Sequence, residues 1–109
     1  MYNILVCDDE KDIVSALEIY LTADGYQVFT AYNGRQAVDI LNKEEIHLVL
    51  MDIMMPEMNG LELTAKVKSD IEYSHIPVIL LTAKTTLEAK VEGFECGADV
   101  YIEKPFSIR

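Results

Sequence analysis

Five side chains in this sequence could do chemistry together. Asp8 and Asp9 directly follow the apolar run Ile4-Leu5-Val6-Cys7, and Asp52 directly follows Leu48-Val49-Leu50-Met51. Thr82 and Ala83 follow Val78-Ile79-Leu80-Leu81, and Lys104-Pro105 come just after the short run Val100 to Ile102. Taken singly, Asp8 or Asp9 could cap a helix, Asp52 could end a strand and Lys104 could be a solvated surface lysine. Taken together, they bring acids, a hydroxyl and an amine to the ends of four runs. Two like charges about 4 Å apart cost about 4 kcal/mol at an effective dielectric of ~20. A hard divalent cation with oxygen ligands removes that cost. Mg²⁺ fits, because it binds through one or two carboxylates, keeps several waters and accepts a phosphate oxygen. The small Ala83 leaves the approach to such a site open.

The elements that must position these residues are legible from the pattern. Three runs with no polar interruption suit strands covered on both faces, as in a parallel sheet flanked by helices. Gln27 to Ala31 and Val100 to Ile102 are mixed or short, as edge strands tend to be. Between them, Ile13, Leu17, Tyr20 and Leu21 form a helical stripe that stops at Gly25, and Ala37, Ile40 and Leu41 mark a helix after Asn33-Gly34. Leu87, Val91 and Phe94 mark another, ending at Gly97. The stretch Leu61 to Lys68 alternates as a strand would. Its Leu, Glu, Ala and Lys content, and the crossover that two parallel strands need, make it a helix. The result is one α/β domain over residues 1–109, a doubly wound five-stranded parallel sheet in the order 2-1-3-4-5. In that order the connection reverses between the first and third strands. The crevice at their carboxyl ends is where Asp8, Asp9 and Asp52 fall.

With 19 acidic against 9 basic residues, the net charge is −10 over 109 residues. Such a surface repels phosphate backbones and anionic lipid, so neither direct nucleic-acid binding nor membrane binding is expected. No apolar run approaches the roughly 18 residues of a membrane span, and no signal segment opens the chain, so a cytoplasmic location is expected. Cys7 and Cys96 lack CxxC spacing and read as reduced, buried, small apolar residues. His47 and His75 lack metal spacing, and the methionines around Asp52 read as packing and loop residues.

The set Asp8-Asp9, Asp52-Ile53-Met54-Met55-Pro56-x-Met58-x-Gly60, Thr82-Ala83 and Lys104-Pro105-Phe106 resembles the receiver domain of two-component response regulators, from residue 2 to about residue 107. The resemblance implies a flavodoxin-like fold and a role in phosphorelay signal transduction. Asp52 would accept a phosphoryl group from the phosphohistidine of a sensor histidine kinase or a phosphotransfer protein. Asp8, Asp9, Asp52 and the backbone carbonyl of Met54 would hold Mg²⁺, and Thr82, Ala83 and Lys104 would receive the phosphoryl oxygens. Thr82 and Tyr101 would act as the switch, changing the face formed by the fourth helix and fifth strand toward a downstream effector. A cis peptide would join Lys104 to Pro105. Such a protein is a phosphoacceptor that assists its own phosphorylation and dephosphorylation rather than a turnover enzyme. Two other readings remain. A haloacid-dehalogenase-type phosphatase also uses an aspartyl nucleophile, but wants a second acid where this chain has Met54. A receiver-like scaffold would bind partners without phosphorylation.

The chain departs from the pattern at its end. Receivers normally finish with a fifth helix, and here Ser107-Ile108-Arg109 close the sequence, so that helix is expected to be largely absent. The apolar face it would cover is then an interface or a liability, and a dimer or domain swap through it is one way of covering it. Residues 1–60 resemble receivers of DNA-binding regulators, whereas Ile76 to Phe106 resembles those attached to hybrid sensor kinases.

Overall fold

The computed structural model describes residues 2–52, 60–82 and 99–103, with side chains for all of these but 61, 82 and 101–103. In chain order the elements are β1 (Asn3–Cys7), α1 (Lys11–Ala23), β2 (Gln27–Ala31), α2 (Gly34–Lys43), β3 (Leu48–Asp52), α3 (Gly60–Ser69), β4 (Val78–Thr82) and β5 (Val100–Glu103). The five strands form one parallel sheet in the order β2-β1-β3-β4-β5, as the sequence pattern implies. The proposed helix through Leu87, Val91 and Phe94, together with Cys96, lies outside the described residues.

The apolar runs split between two cores because successive strand residues point to opposite faces. Leu5, Cys7, Val49, Met51, Val78 and Leu80 join Ala37 and Leu41 of α2 and Leu63 and Val67 of α3 on one face. Ile4, Val6 and Leu81 join Val14 and Leu17 of α1 on the other. Burial on both faces is why β3 and β4 carry no polar residue until their carboxyl ends, and β1 none after Asn3.

The start of α2 and the end of α1 each have a local reason. Asn33 caps α2, its side chain accepting from the Gln36 amide at 2.9 Å, while Gln36 Oε1 accepts from the Tyr32 amide at 2.8 Å. At the end of α1, the amide of Gly25 donates to the carbonyl of Thr22 and that of Tyr26 to the carbonyl of Leu21. That pair of bonds requires a left-handed residue, and Gly25 supplies it at a φ of +95°.

One detail of α1 corrects the sequence expectation. In α1 the stripe is centred on Val14 and Leu17, while Tyr20 lies at its flank and is 39% exposed. At 100° per residue the two buried residues, Val14 and Leu17, lie 60° apart, whereas Tyr20 lies 120° from Val14. α3 is helical, as expected, and among its described residues Gly60, Leu63, Thr64 and Val67 are buried. Thr64 is tolerated in the core because its hydroxyl donates to Met51 Sδ at 3.8 Å.

At the amino-terminal edge of the sheet, His47 Nδ1 accepts from the Asn3 amide at 2.9 Å, and Tyr2 packs edge-on against the imidazole. On the same edge Lys68 of α3 meets Asp99 at 2.7 Å. The Lys68 hydrogen bond holds the Asp99 carboxyl below its ordinary 3.8; burial opposes this and the Val78 amide reinforces it. The folded state therefore prefers the carboxylate. That contribution is complete above the unfolded value and is lost as pH falls through the lowered folded one. In urea melts between about pH 5 and about pH 3, Asp99→Asn should lose less stability than the wild type. Equal losses would contradict the assignment.

Candidate functional site: an acidic cluster at the carboxyl ends of β1 and β3

Strand register brings the three acids together. Cys7 of β1 pairs with Met51 of β3, so the next residues, Asp8 and Asp52, emerge side by side. Asp52 pairs with Leu81, which places Thr82 one residue further along β4, and Thr82 in turn pairs with Glu103 of β5. One ligand oxygen from each of Asp8, Asp9 and Asp52 lies within 4.8 Å of the others. Asp8 is 0% exposed and Asp52 is 3% exposed, while Asp9 faces solvent.

Local bonds aim the cluster. The Asp8 amide donates to the carbonyl of Ala31 on β2, extending β1 by one residue. Asp8 Oδ1 accepts from the Glu10 amide at 2.9 Å, a turn that orients the carboxylate just ahead of α1. Glu10 itself, at the helix N-cap, makes no side-chain cap bond. Asp8 is thus not spent as a helix cap. Sequence reasoning did not single out the Glu10 amide; its only trace is the two-residue spacing typical of an aspartate turn.

The electrostatics are those of a concentrated negative field. Burial pushes the Cys7 thiol up to about 12, and the carboxylates of Asp8, Asp52 and Asp9 add to the shift. The thiol stays protonated and donates to the Asn33 carbonyl at 3.5 Å. Cys7 is buried, as expected, and its protonated thiol is not a nucleophile.

The donor set suits a hard cation. Carboxylate oxygens at up to 4.8 Å separation are close to the roughly 4.2 Å that spans a Mg²⁺ ion with ligands at about 2.1 Å. Three acids crowded this closely, two of them buried, cost about 3–4 kcal/mol per pair at an effective dielectric of ~20. Asp8, Asp9 and Asp52 therefore fit a divalent metal. Of the other residues singled out from sequence, Thr82 and Tyr101 are placed by their backbone on β4 and β5. Met54, Ala83, Lys104 and Pro105 lie outside the described residues.

Comparison with known proteins agrees with this geometry. A family model described as the response regulator receiver domain matches residues 4–109. Among solved structures, chemotaxis protein CheY4 of Vibrio cholerae is 34% identical, with a TM-score of 0.92 over 98% of this chain and 89% of that one. The receiver domain of a signal transduction histidine kinase from Syntrophus aciditrophicus is 36% identical, with a TM-score of 0.91 over 98% and 81% of the two chains. The BeF3-activated receiver domain of DrrB is 34% identical, with a TM-score of 0.88 over 98% and 87%. No helix among the described residues is long and apolar enough to cross a membrane.

Proposed function

Because the chain belongs to the response regulator receiver domain family, we propose that Asp52 is a phosphoacceptor in a two-component relay, served by a sensor histidine kinase or a phosphotransfer protein. The observation that carries this reading is the convergence of Asp8, Asp9 and Asp52 at the switch point of the sheet, with two of the three buried.

A carboxylate oxygen of Asp52 attacks the phosphorus of the donor in line. The new O–P bond forms as the P–N bond to the donor imidazole breaks, and that imidazole leaves with its electron pair and takes a proton from solvent. Asp52 is held rigidly for this step: it ends a strand buried on both faces, and Met51 and Leu81 pack beside it. Phosphoryl transfer needs positioning and charge stabilisation more than covalent chemistry from the protein. Asp8, Asp9 and Asp52, with the Met54 carbonyl, would hold Mg²⁺, which when bound supplies positive charge to the phosphoryl oxygens. Thr82 and Lys104 would each reach one of those oxygens from the ends of their strands, and Ala83 would leave the donor room to approach. Asp8, anchored by the Glu10 amide, keeps its carboxylate in place without reorganisation.

A phosphoryl group adds about −1.5 to −2 charges at one point. Thr82 moves toward it, Tyr101 turns inward, and the face of the fourth helix and β5 changes shape toward an effector. The protein acts as acceptor and assists its own dephosphorylation. It therefore does not turn over substrate as an enzyme does.

The test is chemical phosphorylation of the purified chain. Incubation with acetyl phosphate or phosphoramidate and Mg²⁺ should add the mass of one phosphoryl group, and hydroxylamine, which cleaves acyl phosphates, should remove it. No mass gain in folded protein would overturn the proposal.

A further inference from the structure

The end of α3 and the start of β5 are tied together at the edge of the sheet opposite the acidic cluster. Lys68, in the last turn of α3, directs its ammonium at Asp99 Oδ2 and the carbonyl of Ile76, both at 2.7 Å, and at the carbonyl of Ser74 at 3.4 Å. An ammonium has three protons, and these acceptors use all three. Its side chain is only 17% exposed, so the charge sits in a partly desolvated place where such bonds are strengthened. Asp99 grips Val78 twice: its amide donates to the Val78 carbonyl at 2.9 Å, and its Oδ2 accepts from the Val78 amide at 2.9 Å.

The position of this contact gives it a consequence at the site. β5 is a four-residue edge strand whose described pairing is with β4, from Ile79↔Val100 to Thr82↔Glu103. A slip of one residue would move every β5 residue by about 3.3 Å and exchange its faces. The Val78–Asp99 grip continues the ladder by one pair at its open end. In a slipped register the Asp99 carboxylate would lose both the Val78 amide and the Lys68 ammonium. α3 in turn begins at Gly60, eight residues after Asp52, so Lys68 links the segment that follows the acceptor to the strand that ends at Glu103.

We propose that Lys68 and Asp99 form a positioning clamp, which fixes the register of β5 on β4 and so sets where the carboxyl end of β5 meets the acidic site. The clamp acts across the length of the strand, about 13 Å for four residues. It rests on the phosphoacceptor reading, because β5 runs directly into Lys104.

The experiment compares wild type, Lys68→Met, Lys68→Arg and Asp99→Asn at a temperature where melts show the wild type fully folded. Two quantities are read: the rate of labelling by phosphoramidate at saturating Mg²⁺, and Mg²⁺ affinity by calorimetry. Lys68→Met should label about 10- to 100-fold more slowly, the scale of a misplaced reacting group. Its Mg²⁺ affinity should stay at the wild-type value, because the carboxylate ligands lie on and beside β1 and β3. Lys68→Arg should recover most of the rate. Asp99→Asn keeps an acceptor for the Val78 amide without the charge, and should show a smaller loss of the same kind. Wild-type rates in both Lys68→Met and Asp99→Asn would overturn the clamp, as would a fall in Mg²⁺ affinity that parallels the rate. Unfolding of both variants would overturn it too, making the pair a fold determinant only. If the wild type itself takes no label, the phosphoacceptor reading fails, and the clamp with it.

Discussion

Asp52→Asn should abolish phosphorylation and raise the melting temperature of the metal-free protein at the same time. The first effect follows from nucleophilicity. An amide oxygen carries no full negative charge and cannot form a stable acyl phosphate, so labelling should fall by on the order of 10³-fold or more, as when an enzyme loses its nucleophile. The second follows from charge. Asp52 is buried within 4.8 Å of Asp8 and Asp9, and each like-charged pair costs about 3–4 kcal/mol at an effective dielectric of ~20. Asparagine removes that repulsion yet keeps an oxygen for hydrogen bonding in the same place. Intact mass after incubation with acetyl phosphate reads the first effect, and thermal melts in chelator read the second. Retained labelling would move the acceptor to another residue. A lower metal-free melting temperature would mean that the carboxylate serves the fold more than the chemistry.

The strands and the acidic cluster were legible because both depend on short-range pattern. A run such as Val78-Ile79-Leu80-Leu81 has few places to go except the middle of a parallel sheet, and crossover rules then fix the strand order. Once the order is fixed, residues just past Cys7 and Met51 must meet, since the two strands are parallel neighbours in register. The helices were less legible in detail. In α1, Val14 takes the central place that Tyr20 was expected to share, because a stripe read by residue type overlooks a small angular offset that packing resolves. In α3, apolar alternation hid a helical face that includes Thr64, whose hydroxyl donates to the Met51 sulfur. The Lys68–Asp99 contact was not legible at all. Its partners are 31 positions apart, neither belongs to an apolar pattern, and only the folded sheet edge brings them within 2.7 Å.

Mg²⁺ should stabilise the wild-type protein strongly, and removing carboxylates one at a time should grade that response by burial. The crowding of Asp8, Asp9 and Asp52 is a free-energy cost carried by the folded state, and the unfolded chain, with the acids apart, largely escapes it. A cation that binds only the folded site therefore gains twice: it adds its own affinity and cancels the repulsion. At 100 times its dissociation constant a ligand adds about 2.7 kcal/mol by mass action. For a chain of this size each kcal/mol moves the midpoint by roughly 4–8 °C, so the melt should rise by about 10–20 °C. Asp8→Asn and Asp52→Asn should erase most of that rise, since both positions are buried and held by the strands. Asp9→Asn, at the solvent-facing position, should keep a larger part of it, because water can replace an exposed ligand more readily than a buried one. Scanning calorimetry at several Mg²⁺ concentrations, with Na⁺ at matched ionic strength, separates site binding from general screening. Equal midpoints in Mg²⁺ and Na⁺ would leave the acidic cluster without a metal and remove the electrostatic basis for phosphoryl transfer to Asp52.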